Sequence, residues 1–186
     1  HETCLIHVNE NLWPIPSNEE ILDIVHDYQP GIIGLSVMSQ QYEWTCTLAR
    51  DLRERFPQLP LCIGGVHPTM VPDEVVKSGL YDYVCVGEGE YPFLQLVEGL
   101  ENGADVSQCP NMRICRKDGK VVNNPVGPFP DLDTLPPMDW DLFDMDRIIQ
   151  VKKGWLSILT SRGCPYKCTY CFNKEIVDQY VADKAI

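Results

Sequence analysis

Residues 59–70 read "LPLCIGGVHPTM": a short apolar run, two adjacent glycines, then a histidine, a proline and a threonine. So short and so apolar a run predicts a strand over 59–65. The glycine pair marks its end as a place where backbone can come close to a bulky neighbour with no Cβ in the way. The same arrangement recurs on either side. Upstream, "IIGLSVM" at 32–38 is a near-continuous apolar run, suited to a parallel strand covered on both faces. Downstream, "YDYVCVG" at 81–87 is another, and it leads into "GEGE" at 87–90. Helical spacing fills the gaps. Trp44, Leu48, Leu52 and Phe56 share one face of a helix over 42–56, and Pro72 opens a short helix that Gly79 closes.

Further out, "TCLIHV" at 3–8 reads as a short strand, and "SNEE" at 17–20 has the form of a capping box ahead of Ile21, Leu22, Val25 and Tyr28. Pro30 and Gly31 end that helix; another begins at Pro92 and carries Phe93, Leu96, Val97 and Leu100 inward. Strand and helix alternating four times predict an α/β, doubly wound parallel sheet of flavodoxin or Rossmann type, with right-handed crossovers. An α+β fold with the same elements is the alternative. Residues 3–8, 32–38, 59–65 and 81–86 are then parallel strands, with Ser36, Gly64 and Gly87 at one edge. The central strand of a flavodoxin-like order has no counterpart after His1, so 32–38 is expected to have an open flank, and an apolar strand with an unpaired flank is sticky.

Beyond residue 105 the pattern changes. "NMRICRKDGKVVNN" at 111–124 sets Asp118-Gly119 between two β-like runs and predicts a hairpin. Residues 125–137 hold five of the fifteen prolines and read as an extended linker laid over a surface. "WLSILT" at 155–160 reads as one more buried-type strand. The expected divisions are therefore 1–105, 106–154 and 155–186.

Composition excludes several function classes. The 186 residues carry a formal net charge of −12, which disfavours a nucleic-acid phosphate backbone or an anionic membrane surface. No stretch is long and apolar enough to span a membrane, and "HETCLIHVNE" lacks the basic start and apolar core of a signal peptide. It also lacks an initiator Met, and the chain is expected to be a piece of something longer. Nine cysteines, an odd number without an export signal, fit a reducing cytoplasmic setting better than a disulfide scaffold. Six are scattered (Cys4, Cys46, Cys62, Cys85, Cys109, Cys115), and those in strand-like runs, Cys4, Cys62 and Cys85, are expected to serve as small core hydrophobes.

Ligands of open parallel α/β sheets sit outside the carboxyl ends of the strands. "SVMS" at 36–39, "GGVHPTM" at 64–70 and "GEGE" at 87–90 all fall there, which points to one large, flat ligand on that edge. Each loop alone reads as a plain turn. None matches Gly-x-Gly-x-x-Gly opening a helix, so a dinucleotide fingerprint is absent. A Gly65→Leu change is expected to block such a ligand while leaving the fold intact.

These residues carry a resemblance. Ser36-Val37-Met38 followed by Gly64-Gly65 resembles the Ser-x-Leu and Gly-Gly signature of cobalamin-binding domains, with Met in place of Leu. "GGVHPT" and "GEGEYPF" are similar to the version fused to radical S-adenosylmethionine enzymes, and the resemblance covers roughly residues 1–105. It implies corrinoid contacts from Ser36, Met38, Gly64, Gly65, His67, Pro68, Thr69, Gly87, Glu88, Gly89 and Glu90. The family's Asp-x-His-x-x-Gly motif would lie upstream of His1; His67 is on a different loop and reads as a structural or pocket-wall histidine rather than a cobalt ligand.

Near the end of the chain, "SRGCPYKCTYCF" at 161–172 spaces Cys164, Cys168 and Cys171 as Cys-x-x-x-Cys-x-x-Cys. A closed structural zinc site takes four protein ligands, and no Cys or His follows before Ile186. Three thiolates on a [4Fe–4S] cluster leave one iron without a protein ligand. A chance grouping of thiols is the remaining reading. "CPYKCTYC" resembles the cluster loop of radical S-adenosylmethionine enzymes. That resemblance implies a [4Fe–4S] cluster on the three cysteines and S-adenosyl-L-methionine chelated at the free iron. It also implies release of a 5′-deoxyadenosyl radical, with Tyr170 near the adenine. Strand 155–160 would be the first of a (β/α) barrel with chemistry at its carboxyl end. The implied parent is a cobalamin-dependent radical enzyme acting on an unactivated carbon, by C-methylation or by ring-forming or oxidative chemistry. It would need a small-molecule or peptide substrate and an electron donor such as a flavodoxin or ferredoxin. The rival is a non-catalytic corrinoid carrier, which has no use for Cys164, Cys168 and Cys171; a plain flavodoxin-like signalling domain would need an acidic phosphoacceptor pocket that the sequence does not offer.

Overall fold

The structure, a computed structural model, describes residues 1–185. In chain order its elements are α1 (Asn18–Tyr28), β1 (Ile33–Ser36), α2 (Tyr42–Arg55), β2 (Leu61–Gly64), α3 (Val66–Met70), α4 (Pro72–Lys77), β3 (Tyr83–Cys85), α5 (Glu90–Glu101), β4 (Met112–Cys115), β5 (Val121–Asn123), α6 (Met145–Val151) and α7 (Asn173–Ala182), with short 3-10 turns between some of them. The chain divides into two compact units: residues 1–29 with 134–163, and residues 30–133 with the segment from Cys164 onward.

The larger unit is built on a sheet of order β1-β2-β3-β4-β5. β1 pairs with β2 in parallel (Ile33 opposite Leu61, Ser36 opposite Gly64), and β2 pairs with β3 in parallel. The hairpin expected around Asp118-Gly119 forms, and it extends the sheet: β4 runs antiparallel to β3, and β5 antiparallel to β4. The sheet is therefore mixed, α/β and mostly parallel in its strand-helix-strand portion. Among the described residues, β1 is the outermost strand on its side of the sheet.

Alternation along the strands divides the core into two faces. Cys62 and Cys85 point to the face covered by α5, where Leu96, Cys109, Met112 and Ile114 complete a buried cluster with Phe93 and Leu100 at its margin. Ile63 and Val84, both fully buried, point the other way. On α2 the buried residues are Thr45, Cys46, Leu48, Ala49 and Leu52; Trp44 and Phe56 are only half-buried, so the inward face is turned from the expected one. At the amino ends of the strands, Arg53 ties the layers together. Its guanidinium donates to the carbonyls of Leu80 and Leu59 and pairs with Asp82 at 2.6 Å, while Asp82 accepts from the Leu61 amide.

The smaller unit holds α1 and α6. Ser17 and Glu20 form the expected capping box, and Gln29 closes α1 in the left-handed region at φ 54°. Asp144 caps α6 by accepting from the Arg147 amide, and Arg147 in turn donates twice to the Leu12 carbonyl. His7 meets Trp13 and Phe143 edge-on.

Three expectations fail. Residues 3–8 and 155–160 form no strand, and Cys4 is exposed rather than a core hydrophobe. In 155–160 Trp155 is 77% and Leu159 93% exposed. A strand exists only through its ladder, and neither segment has a described neighbour with which to exchange hydrogen bonds. β1 is also less covered than expected: Ile33 and Leu35 are half-buried, and Gly34 and Ser36 exposed, as an edge strand with one bare flank must be.

Candidate functional site

The three strand-end loops singled out in the sequence meet at one edge of the larger unit. The register sets them level, with Ser36 opposite Gly64 and β3 beside β2. Backbone bonds then tie them: Val37 N–H donates to the Gly64 carbonyl at 2.9 Å, and His67 N–H to the Val37 carbonyl at 3.1 Å. Thr69 adds the link to the third loop. Its hydroxyl donates to the Gly65 carbonyl at 2.8 Å and accepts from the Gly87 amide at 3.0 Å. The stretch that follows the glycine pair, expected as a loop, is wound into α3, which is what brings Thr69 back over Gly65.

Two of the four glycines are obligatory, for a reason other than ligand approach. Gly65 has φ +94°, and a Cβ there would stand 2.7 Å from Val37 N and 2.9 Å from Val37 O. The neighbouring strand end excludes a side chain, so Gly65→Leu would strain the fold instead of leaving it intact. Gly87 has φ +83°, and a Cβ there would strike the Tyr180 hydroxyl. Gly64 and Gly89 would meet Cys85 only at ordinary contact distances of 3.4 and 3.6 Å.

His67 is buried at this edge, 8% exposed, with its ring stacked on Tyr42 at a centroid distance of 3.9 Å. Nδ1 lies 3.1 Å from the Ser39 hydroxyl, and Nε2 is buried without a hydrogen-bond partner. Burial holds the His67 pKa below its ordinary value, with Glu74 opposing in part, so the ring is neutral at pH 7. Burial and the neighbouring Cys46 push the Tyr42 hydroxyl up to about 12. A neutral imidazole with one nitrogen engaged and the other orphaned is suited to a polar group of a ligand. Around it Met38 is 54% exposed, Ser36 is exposed, and Pro68 is buried beneath. Glu88 and Glu90 follow Gly87, with Glu90 in the first turn of α5.

Residues that sequence reasoning missed close the Gly87 side. Tyr180 of α7 is fully buried; its hydroxyl accepts from the Glu88 amide at 2.8 Å and lies 3.4 Å from Asn111 Nδ2. Asn111, also buried and at φ 62°, donates to the Val86 and Glu88 carbonyls and accepts from the Gly127 amide. Nothing local in "NMRIC" or "VDQYVAD" announces this meeting, since the partners lie 69 residues apart.

The cysteine loop is a different kind of place. Cys164 and Cys168 are exposed and Cys171 half-exposed, with a turn closed by Cys171 N–H on the Cys168 carbonyl. Among the described residues no three His, Cys, Asp or Glu side chains converge to hold a metal ion. Tyr170 is 90% exposed. The donor set of three thiols on one short loop fits an iron–sulfur cluster chemically, and the orphaned His67 Nε2 with the tied glycine edge fits a large amide-bearing ligand.

Comparison with known proteins bears on the strand-end edge and on the chain as a whole. Residues 6–97 match the B12 binding domain family. The chain is 32% identical over 159 residues to anaerobic magnesium-protoporphyrin IX monomethyl ester cyclase of Synechocystis sp., covering 83% of this chain and 32% of that protein. It is 28% identical over 154 residues to an uncharacterized methyltransferase of Pyrococcus horikoshii, covering 82% of this chain and 33% of the other. Among solved structures it is similar to the cobalamin-dependent S-adenosylmethionine radical enzyme OxsB with aqua-cobalamin bound. The TM-score is 0.70 at 25% identity, over 83% of this chain and 22% of that one. The chain thus spans about a third of the length of these curated relatives. No helix among the described residues is long and apolar enough to cross a membrane.

Proposed function

We propose that the chain carries the corrinoid-binding part and the cluster loop of a cobalamin-dependent radical S-adenosylmethionine enzyme, because residues 6–97 match the B12 binding domain family and the proteins it is similar to include a cobalamin-dependent radical SAM methyltransferase, a cyclase and the radical enzyme OxsB. The single observation that carries the reading is the edge on which Thr69 joins the Gly65 and Gly87 loops beside a buried, unpartnered His67 Nε2. Ser36, Met38, Gly64, Gly65, Pro68, Gly87, Glu88, Gly89 and Glu90 border the same edge and would face the corrinoid. In the tautomer where the Ser39 hydroxyl donates to His67 Nδ1, Nε2 would carry an N–H to donate to an amide carbonyl of the corrinoid rim. Cys164, Cys168 and Cys171 would hold a [4Fe–4S] cluster as thiolates, and Tyr170 would lie against the adenine of S-adenosyl-L-methionine. When bound, these groups supply one-electron cleavage of S-adenosyl-L-methionine and a methyl-carrying cobalt, chemistry suited to C-methylation or other modification of an unactivated carbon. A small-molecule or peptide substrate, an electron donor such as a flavodoxin or ferredoxin, and a cytoplasmic setting go with the proposal. So does a division at residues 1–105, 106–154 and 155–186.

The test has two arms. The chain is titrated with hydroxocobalamin and followed by its absorbance, and Thr69→Val and His67→Phe are compared with wild type; binding weakened in both is expected. Absence of binding by the wild-type chain overturns the corrinoid reading. The second arm is anaerobic reconstitution with iron and sulfide of the protein containing this chain. About four irons, lost in Cys168→Ala, are expected, whereas a single zinc or no iron at all leaves the carrier reading in place.

A further inference from the structure

α7 begins two residues after Cys171, and Tyr180 on its buried side reaches the Gly87 end of the sheet. The contact is complete in every respect that costs free energy if left undone. The ring stacks on Phe129 at 3.9 Å and 12°, and Val86, Val126 and Ile176 pack around it. The hydroxyl has the Glu88 amide at 2.8 Å and the Asn111 side chain at 3.4 Å. One turn further on, Asp183 accepts from the Val126 amide at 3.0 Å. Gly87 leaves no room for a Cβ on the side where the hydroxyl sits. The cysteine loop, by contrast, shows among the described residues the single backbone bond of its own turn, Cys171 N–H to the Cys168 carbonyl. Some 10 Å of helix axis separates Tyr180 from the start of α7, so whatever holds Tyr180 sets where the loop can be.

We propose that Tyr180 is a positioning residue that fastens α7, and through it the Cys164–Cys171 loop, to the Gly87–Glu88 end of the corrinoid-binding edge. This rests on the corrinoid reading for its purpose, though not for its geometry. The fastening uses the Glu88 amide, one backbone position beyond the Gly87 amide that Thr69 engages, so ligand edge and cysteine loop share a single anchor.

Tyr180→Phe keeps the ring and its stack and removes only the hydroxyl. Hydrogen exchange of the chain should then show the Glu88 amide and the α7 amides exchanging about tenfold faster, with β1–β3 unchanged. The second readout is spectroscopic. In a Cys4→Ser, Cys115→Ser, Cys164→Ser, Cys171→Ser background a dye is attached at the exposed Cys168, and its quenching by bound hydroxocobalamin is measured. Tyr180→Phe should lower and broaden the energy transfer while the corrinoid Kd stays the same. Unchanged exchange of α7, or unchanged quenching, overturns the proposal. Tighter corrinoid binding in Tyr180→Phe also overturns it, because Tyr180 would then be an occupant of the ligand site. If wild type binds no hydroxocobalamin, the corrinoid reading fails while the exchange pattern still decides whether Tyr180 fastens α7.

Discussion

The strand-end edge and the cysteine loop were equally conspicuous in the sequence, yet they are built to very different degrees. At the edge, Gly65, Thr69 and Gly87 are locked by backbone geometry that the sheet register enforces, and His67 is buried in a stack. In the loop, Cys164 and Cys168 face solvent, and Gly163, although at φ +84°, has nothing within 4 Å of where a Cβ would stand. A motif whose residues bond to one another can be assembled before its ligand arrives. One whose residues have only a ligand in common cannot, because three thiols gain nothing from one another's company until a metal binds them.

Substitutions can break this comparison at several strengths. The largest effect belongs to Gly65→Ala. A left-handed φ and a Cβ 2.7 Å from Val37 N together predict a loss of about 3 kcal/mol, read from urea unfolding of the chain. Gly163→Ala has the same sign of φ in open space and should cost about 1–2 kcal/mol; equal costs at the two sites would erase the distinction. Next comes Thr69→Val, which keeps shape but strands the Gly87 amide, while the Gly65 carbonyl keeps the Thr69 N–H at 3.3 Å. A loss of about 2 kcal/mol is expected by the same measurement. Replacing Cys164, Cys168 and Cys171 together by Ser should shift metal-free stability by less than about 0.5 kcal/mol, and a larger loss would mean the loop carries structure of its own.

The finest probe is pH. Because burial lowers the His67 pKa, the folded chain resists a proton that the unfolded chain accepts. Above the ordinary histidine value the two states bind alike and His67 contributes nothing to the pH dependence. As pH falls through that value, the unfolded state gains the proton first and stability drops. His67→Phe should flatten the fall in stability between pH 7 and pH 5 relative to wild type, and a profile unaltered by the substitution would place His67 in contact with water.

Which parts could be read in advance follows from the range of the interactions. The Ser17–Glu20 capping box spans three residues and the Asp118-Gly119 hairpin a handful more, so their chemistry is local and legible. β1, β2 and β3 were legible as apolar runs bounded by glycines, but so were 3–8 and 155–160, which form no strand. An apolar run states a willingness to pair and says nothing about whether a partner lies beside it. The antiparallel attachment of β4 to β3 was hidden for the same reason, since the hairpin's periodicity does not name its neighbour. Along the strand-end edge, the nearness of Ser36, Gly64, Gly65, Thr69 and Gly87 was legible because they follow strand ends, where topology brings loops together. Tyr180 and Asn111 were missed because each looks like an ordinary residue of its own segment until the two are seen sharing a hydroxyl.

The face of the sheet under α5 is lined with sulfur: Cys62, Cys85 and Cys109 are buried beside Met112. Burial pushes the Cys85 thiol up to about 12 and the Cys109 thiol up to about 11, and Cys109 also leans on the Pro92 carbonyl at 3.2 Å. Such thiols are chemically silent while the helix stays down. They therefore work as a clock. Every time α5 lifts from the sheet, an alkylating reagent in solution can record the event as a permanent mark on Cys62, Cys85 or Cys109, and at reagent concentrations where alkylation outpaces reclosing the rate at which those marks accumulate is the rate at which this layer of the protein breathes.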